Sequence, residues 1–285
     1  MTAARVQRCL LVLLAAAAVL AAGSGTAGER RDYAWLAQQP VRSVAGTISV
    51  PAGFARVPVP DGGFAHWLRH LPLAPDGTQL LLHDGRPLLD QSVVAAVIDI
   101  DAGSADLQQC ADAVMRLRAE FLFSRGLVGA IGFDLFDGQP YGFAAYADGF
   151  TPRQVGDAVA WRRERPRGRD HADLRRYLDL LFGFASTRSL ARELRPVASL
   201  REAAIGDLFI RAGSPGHAVI VVDMAENAAS GERALLLAQG SMPARGIYLL
   251  NNAARPELGA WFALADGEPL ATPGYVFRPD ELRRF

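Results

Sequence analysis

Cysteine is almost missing from this chain: 285 residues hold only Cys9 and Cys110. A fold stapled by several disulfides is therefore excluded. Net charge is missing as well, with 30 basic residues against 30 acidic ones. A nucleic-acid partner, which demands a strongly basic face, is not expected. No internal repeat and no low-complexity tract follows the first segment, which sets aside solenoids and propellers. Past residue 22 no apolar run reaches the roughly 20 residues that cross a bilayer. The mature chain is thus expected to have no transmembrane span. What remains is 50% hydrophobic and 21% charged, enough apolar material for a globular core without disulfides.

The opening segment, MTAARVQRCLLVLLAAAAVLAAGSGTAGE, reads as an address rather than as part of the fold. Arg5 and Arg8 form a basic start, Leu10 to Ala22 an apolar stretch, and small residues run from Gly23 to Gly28. This is the pattern of a Sec signal peptide over residues 1–28, and it predicts a periplasmic or secreted product. Cleavage near Ala27 or Gly28 would remove two arginines and Cys9, leaving 28 basic against 30 acidic residues and Cys110 alone. A lone thiol in an oxidising compartment is either a buried small apolar residue or a reactive group.

Residues 29–285 read as a single α+β domain, with strands before and after a helical middle. Short apolar runs bounded by turn residues mark strands in GTISVPAGFARVPVP, GTQLLLHDG and SVVAAVIDIDAG. Phe64, Trp67, Leu68 and Leu71 have the spacing of one helix face. Phe133 and Leu135 alternate with Tyr141 and Phe143 about Asp137-Gly138, as in a β-hairpin. The run Arg162 to Arg169, broken by Pro166 and Gly168, reads as a basic surface loop, with one or two helices from about Asp170. GDLFI, GHAVIVVDMAE, RALLLAQGS and GIYLLNN are the closing strands.

The chemistry-bearing stretch is DLQQCADAVMRLRAEFLF, Asp106 to Phe123. Asp106 is a good N-cap residue and Gln109 follows three residues later, which predicts a helix from Leu107 with Cys110 in its first turn. Free N–H groups and the positive dipole end there favour a thiolate. Cys110, Val114, Leu117 and Phe121 share a stripe, so the sulfur stands at the end of a buried face. A thiol nucleophile needs a base. His66, His70, His83 and His171 lie on helix faces or beside turns. His217 instead follows the Gly-Ser-Pro-Gly turn and opens a strongly apolar strand, at the mouth of a sheet. If Ala225 pairs with Gly231 in the hairpin that follows, His217 faces Gln239; if with Arg233, it faces Ser241. Asp223 has the same parity as His217, but six residues at about 3.3 Å each put it roughly 20 Å away.

Cys110 at a helix start, then Gly206, Asp207, Leu208, Phe209 and His217, then Gln239, resembles the NlpC-type branch of the papain-like cysteine peptidases and amidases. That branch usually carries Asp-Cys-Ser where this chain has Gln109-Cys110-Ala111. The resemblance implies a papain-like mix of helix and antiparallel sheet, with the catalytic part at about residues 92–250. Over most of its length the chain also resembles an exported bacterial family, domain of unknown function 4846. WLRHLPL, DLQQCADAVMRLRAE, GDLFIRAGSPGHAVIVVDMA, LLLAQGSMPA and TPGYVF carry that likeness, which groups the chain without naming a chemistry.

The expectation is a periplasmic or secreted cysteine hydrolase acting on cell-wall peptide or similar amide bonds. Cys110 would attack the carbonyl, His217 move the proton, and Gln239 or Ser241 orient the ring. Gln108, Gln109 and the Cys110 N–H would hold the oxyanion. No cofactor and no metal are called for. The alternative is a non-catalytic envelope protein that binds a glycan, peptide or protein partner in the same cleft, with Trp67, Trp161, Trp261 and Tyr146 available for stacking.

Overall fold

The longest strand explains how the rest is arranged. His217–Asn227 (β5) and Arg233–Gln239 (β6) form a hairpin at the centre of a nine-stranded sheet. A computed structural model describes residues 31–285 of the chain; the expected signal peptide, residues 1–28, lies outside the described residues. Within the sheet, Phe54–Arg56 (β1) and Val94–Val97 (β2) precede Arg195–Pro196 (β3) and Leu208–Arg211 (β4). Tyr248–Leu250 (β7), Trp261–Leu264 (β8) and Leu282–Arg284 (β9) follow the hairpin. The main path runs β2-β7-β6-β5-β4-β9-β3, with β1 added to β5 and β8 to β6. All neighbours are antiparallel. Strands from both ends of the chain thus close one sheet, and Asp32–Phe285 forms one compact unit.

Both faces of this sheet are covered, so its strands are apolar on both sides. Ala218, Ile220 and Val222 pack under the helices Phe64–Arg69 (α1), Cys110–Ser124 (α2), His171–Phe182 (α3) and Thr187–Glu193 (α4). Val219 and Val221 face a second core with Phe209, Tyr248, Phe262 and Phe277. A β-bulge breaks this alternation: Leu236 pairs with Asp223, but Leu237 pairs with Val221. The extra residue, Val222, reverses the faces beyond it, because the side-chain period is two. Asp223 therefore does not share His217's face, as its parity suggested. It is fully buried on the helical side, taking Arg56 Nε at 2.6 Å and Arg69 Nε at 2.7 Å.

Local expectations hold in part. Phe133 pairs with Tyr141 across the Asp137-Gly138 turn, but the strands stop at Gly142 and Phe143–Ala147 is a short helix. The basic run is not simply a loop. Trp161–Arg163 end a strand, Ala158–Arg163, paired with Phe150–Val155, and Arg167 stacks 4.5 Å from the Tyr146 ring centre. α3 begins where expected, capped by Asp170.

The Gly206-Asp207 pair has a structural task. Gly206 takes a φ of +97° where a Cβ would meet the Phe64 ring at 3.0 Å. Asp207 accepts from Ala204 N at 2.8 Å and from Arg284 Nε at 2.6 Å, tying the entry of β4 to β9.

Candidate functional site

α2 begins three residues later than its capping signal suggests. Gln109 is the N-cap and Cys110 the first helical residue, with Asp112 Oδ2 accepting the Gln109 N–H at 3.0 Å. Asp106 is drawn off to tertiary duty, accepting from Ala244 N at 2.6 Å and Gln109 Nε2 at 3.2 Å. Its carboxylate thereby ties the start of α2 to the β6–β7 connection. Gly240 permits the closeness, since a Cβ there would lie 2.8 Å from the Gln109 carbonyl oxygen. The open end of α2 is thus held against the His217/Gln239 end of the central hairpin.

There a cavity of about 550 Å³ is lined by Gln109, Cys110, Asp112, His217, Ser241 and Tyr275, among others. Cys110 is half-buried. The backbone N–H groups of Ala111, of Ala218 and of Cys110 itself lie near enough to act on its sulfur. Ala218 directly follows His217, so the nucleophile candidate lies beside the backbone of the strand that carries the base candidate. His217 is only 3% exposed, and its Nε2 lies 2.6 Å from Gln239 Oε1. Gln239 Nε2 in turn donates to the Tyr248 hydroxyl, which fixes the amide with its oxygen towards the ring. An acceptor at Nε2 requires the proton there and leaves Nδ1 as the free base nitrogen. The Tyr275 ring stacks on His217 at 4.0 Å between centres and 16° between planes, closing one face of the imidazole.

Near the turn the register differs from both expected ones, but past the bulge it is the expected one that brings Ser241 opposite His217. Ala225 pairs with Ala234; past the bulge Ala238 pairs with Ile220. Continued to the strand end, that register sets Ser241 across from His217 and Gln239 across from Val219. The imidazole nevertheless goes diagonally to Gln239, a reach open to long side chains on one sheet face. Ser241 lines the cavity without that role.

Gln108 does not serve as an oxyanion donor here. The late helix start rotates it into the core, 1% exposed, where its Oε1 accepts from Arg116 Nη1 at 3.2 Å. Gln109 does line the cavity. The other four histidines are placed elsewhere: His66 with Asp61, His70 with the His66 carbonyl, His83 beside the Ser104 carbonyl at 3.5 Å, and His171 with Glu120 at 2.9 Å. Trp67, Trp261 and Tyr146 are buried in the core, so of the four aromatics named for stacking only Trp161 is exposed. Among the described residues no group of three His, Cys, Asp or Glu side chains is placed to hold a metal ion. No helix among them is long and apolar enough to cross a membrane.

Electrostatics here oppose a resting ion pair. Burial and the Asp112 carboxylate push the Cys110 thiol up, against the N–H groups on the sulfur. The expected lowering by the helix start is outweighed. Burial lowers His217, with Arg245 adding to it and the Gln239 bond opposing. Both groups rest neutral near pH 7, so the thiol proton must leave as the bond to substrate forms.

Sequence reading missed Tyr275, Tyr248 and Asp112. Only the Tyr275/Phe277 alternation after the Pro273-Gly274 turn hinted that a ring was aimed somewhere, and nothing local said where. Gln239→Ala should lower turnover about 10- to 100-fold, the usual loss when a partner that orients a histidine is removed. Gln239→Glu, which restores an acceptor, should recover part of it in the same steady-state assay.

A family model described as a domain of unknown function (4846) matches residues 44–284. No curated protein and no solved structure matches the chain.

Proposed function

The chain belongs to the family described as a domain of unknown function (4846), and we propose that it is an exported cysteine hydrolase of the papain-like, NlpC-type kind. One observation carries the reading. A cysteine at a helix start and a histidine whose Nε2 is held by an amide line one cavity. His217 Nδ1 takes the thiol proton while Cys110 attacks an amide or ester carbonyl. The N–H groups at the start of α2, with Gln109, would turn to the oxyanion. The imidazolium then returns the proton to the leaving nitrogen, and water releases the acyl group by the same path reversed. Gln239 stabilises that imidazolium through an uncharged acceptor. The Sec-type pattern of residues 1–28 supports export, and cell-wall peptides are the substrates that such a location would offer.

Alkylation of Cys110 by a neutral haloacetamide across pH tests this reading. The thiol sits above its ordinary range, so thiolate accumulates only as pH rises through alkaline values. His217 sits below its ordinary 6.5 and still acts as base at pH 7. Labelling of the native protein should therefore climb steadily above pH 7, keep a base-assisted component to below the ordinary imidazole value of 6.5, and lose that component in His217→Ala. Labelling only after denaturation would sink the hydrolase. The raised thiol favours one competing reading, a binding protein that uses the same cleft for a glycan, peptide or protein partner without turnover.

A further inference from the structure

The run Arg162 to Arg169 holds five arginines and one acid, Glu164, in a chain of 30 basic and 30 acidic residues. None of them is among the described residues that line the Cys110 cavity. The hairpin in which the run begins gives this excess a face. Phe150–Val155 pairs with Ala158–Arg163, and the burial of Pro152 and Val159 marks one side as inner. Trp161 lies on that inner side, 5.2 Å from the Tyr141 ring centre, with its indole N–H on Gln139. Side chains alternate along a strand, so Thr151, Arg153, Val155, Ala158, Ala160 and Arg162 form the outer side.

Cations crowd that outer side. Arg153 stands opposite Ala160, which makes Arg162 its diagonal neighbour on the same face, about 7–8 Å away. Arg167 reaches over from the following segment, its Nη2 donating to Thr151 Oγ1 at 2.9 Å. Glu164 is shared between Arg162 and Arg167, and Asp148 takes Arg169 at 3.2 Å. Arg153 and Arg165 are exposed and have no ion-pair partner among the described residues. Arg163 lies over the Phe150 ring and has none either. Like charges side by side on a sheet face are unfavourable, and an anion laid across them reverses the sign. The rest of the outer side narrows the choice of anion. Its apolar groups are Val155 and two alanines. No aromatic or long apolar side chain stands there to enter a bilayer or to stack on a nucleobase.

We propose that this outer face docks the protein on a phosphate-bearing polymer of the cell envelope, a partner that rests on the exported-hydrolase reading for where it is met. A guanidinium presents a flat fork of N–H donors that suits phosphate oxygens. Arg153 and Arg162 on neighbouring strands and Arg165 in the segment beyond offer forks at successive places, which fits a chain of phosphates rather than a single one. The contact is made to charge alone, so it is weak per group, summed along the polymer and sensitive to salt. Docking there keeps the cleft among the wall peptides it would cut, and raises their effective concentration without any contact to the scissile bond.

Binding to immobilised long-chain inorganic polyphosphate tests the face without any turnover. Three phosphate contacts, at a slope of about −0.7 each on a logarithmic salt axis, should weaken binding about 10- to 20-fold between about 50 and 200 mM salt. The triple change Arg153→Gln, Arg162→Gln and Arg165→Gln should lower affinity by about tenfold or more at the lower salt and flatten that slope. The charge-matched control Arg201→Gln, Arg255→Gln and Arg278→Gln, at exposed arginines elsewhere, should do neither. Arg153→Glu alone, at an exposed position with no ion pair to lose, should weaken binding in the same direction as the first triple. Poly-L-glutamate should bind more weakly than polyphosphate, and vesicles rich in phosphatidylglycerol should not compete for it. No binding at the lower salt, an equal loss in the two triples, or a preference for polyglutamate or for vesicles overturns the docking face. Turnover of a short soluble wall peptide should be unchanged in the docking triple. If no wall peptide is turned over while polyphosphate is still held through these arginines, the hydrolase falls and the docking face stands. Turnover without polyphosphate binding overturns the docking face and leaves the hydrolase standing.

Discussion

Cys110→Ala and His217→Ala should each lower hydrolysis of a cell-wall peptide by about 10⁴-fold or more, the scale of removing a nucleophile or its base. Three features of the site make the loss this large. The sulfur is the only thiol expected in the mature chain. The base has its Nε2 tied to Gln239, so no other ring orientation is offered. The resting pair is neutral, so without His217 the thiol must ionise alone in a setting that pushes it up. The two losses should not add: the double variant should be about as inactive as either single one, because each step uses both groups. Cys110→Ala should still bind the substrate, since the cavity and the N–H groups remain. Equilibrium binding measured beside turnover separates the outcomes. Binding retained with turnover lost supports the hydrolase; turnover retained in both single variants makes Cys110 a packing residue.

The strands were legible because their burial is local in origin. Runs such as AVIVV and ALLLA can only sit in a sheet covered on both faces, and both fall in the central hairpin. Cys110 at a helix start and His217 at a strand start were legible for the same reason: capping and turn residues mark the ends of elements. What depended on distant chain was not. Asp106 has the chemistry of a cap, yet Ala244, 138 residues away, takes its carboxylate. The resulting three-residue shift decides which glutamine faces the cavity, and Gln108 turns inward. The bulge at Val222 has no local signature, since valine suits a strand on either face. It moves Asp223 to the helical side and changes the register that places Gln239. Asp112 reads in sequence as an ordinary acid at a helix start; its burial comes from the elements packed over it.

Asp223→Ala should be the most destabilising single change in the sheet, costing about 3–5 kcal/mol, as expected when one partner of a buried ionic group is removed. Asp223 Oδ1 takes the Arg69 Nε at 2.7 Å and its neighbour's N–H, from Met224, at 2.8 Å, while Oδ2 takes Arg56 Nε at 2.6 Å. Arg69 is itself buried, and its Nη2 also donates to the Val57 carbonyl at 2.8 Å. Removing the carboxylate leaves two guanidinium groups facing each other beneath α1 with no anion between them. Asp223→Asn keeps the shape and an acceptor but not the charge, so it should recover only part of the loss. Replacing all three residues with apolar ones of similar volume should cost far less than the single change, because no unpaired charge is then left behind. In thermal unfolding the alanine variant should melt about 10 °C lower. Below that transition its Cys110 labelling rate should match the unchanged protein's, because Asp223 lies six residues along β5 from His217, past the bulge and on the other face. A melting shift of a degree or two would mean that Arg56 and Arg69 find water or other carbonyls once freed. A labelling rate that changed well below the transition would mean instead that the bulge holds the distant end of the strand in register for the site.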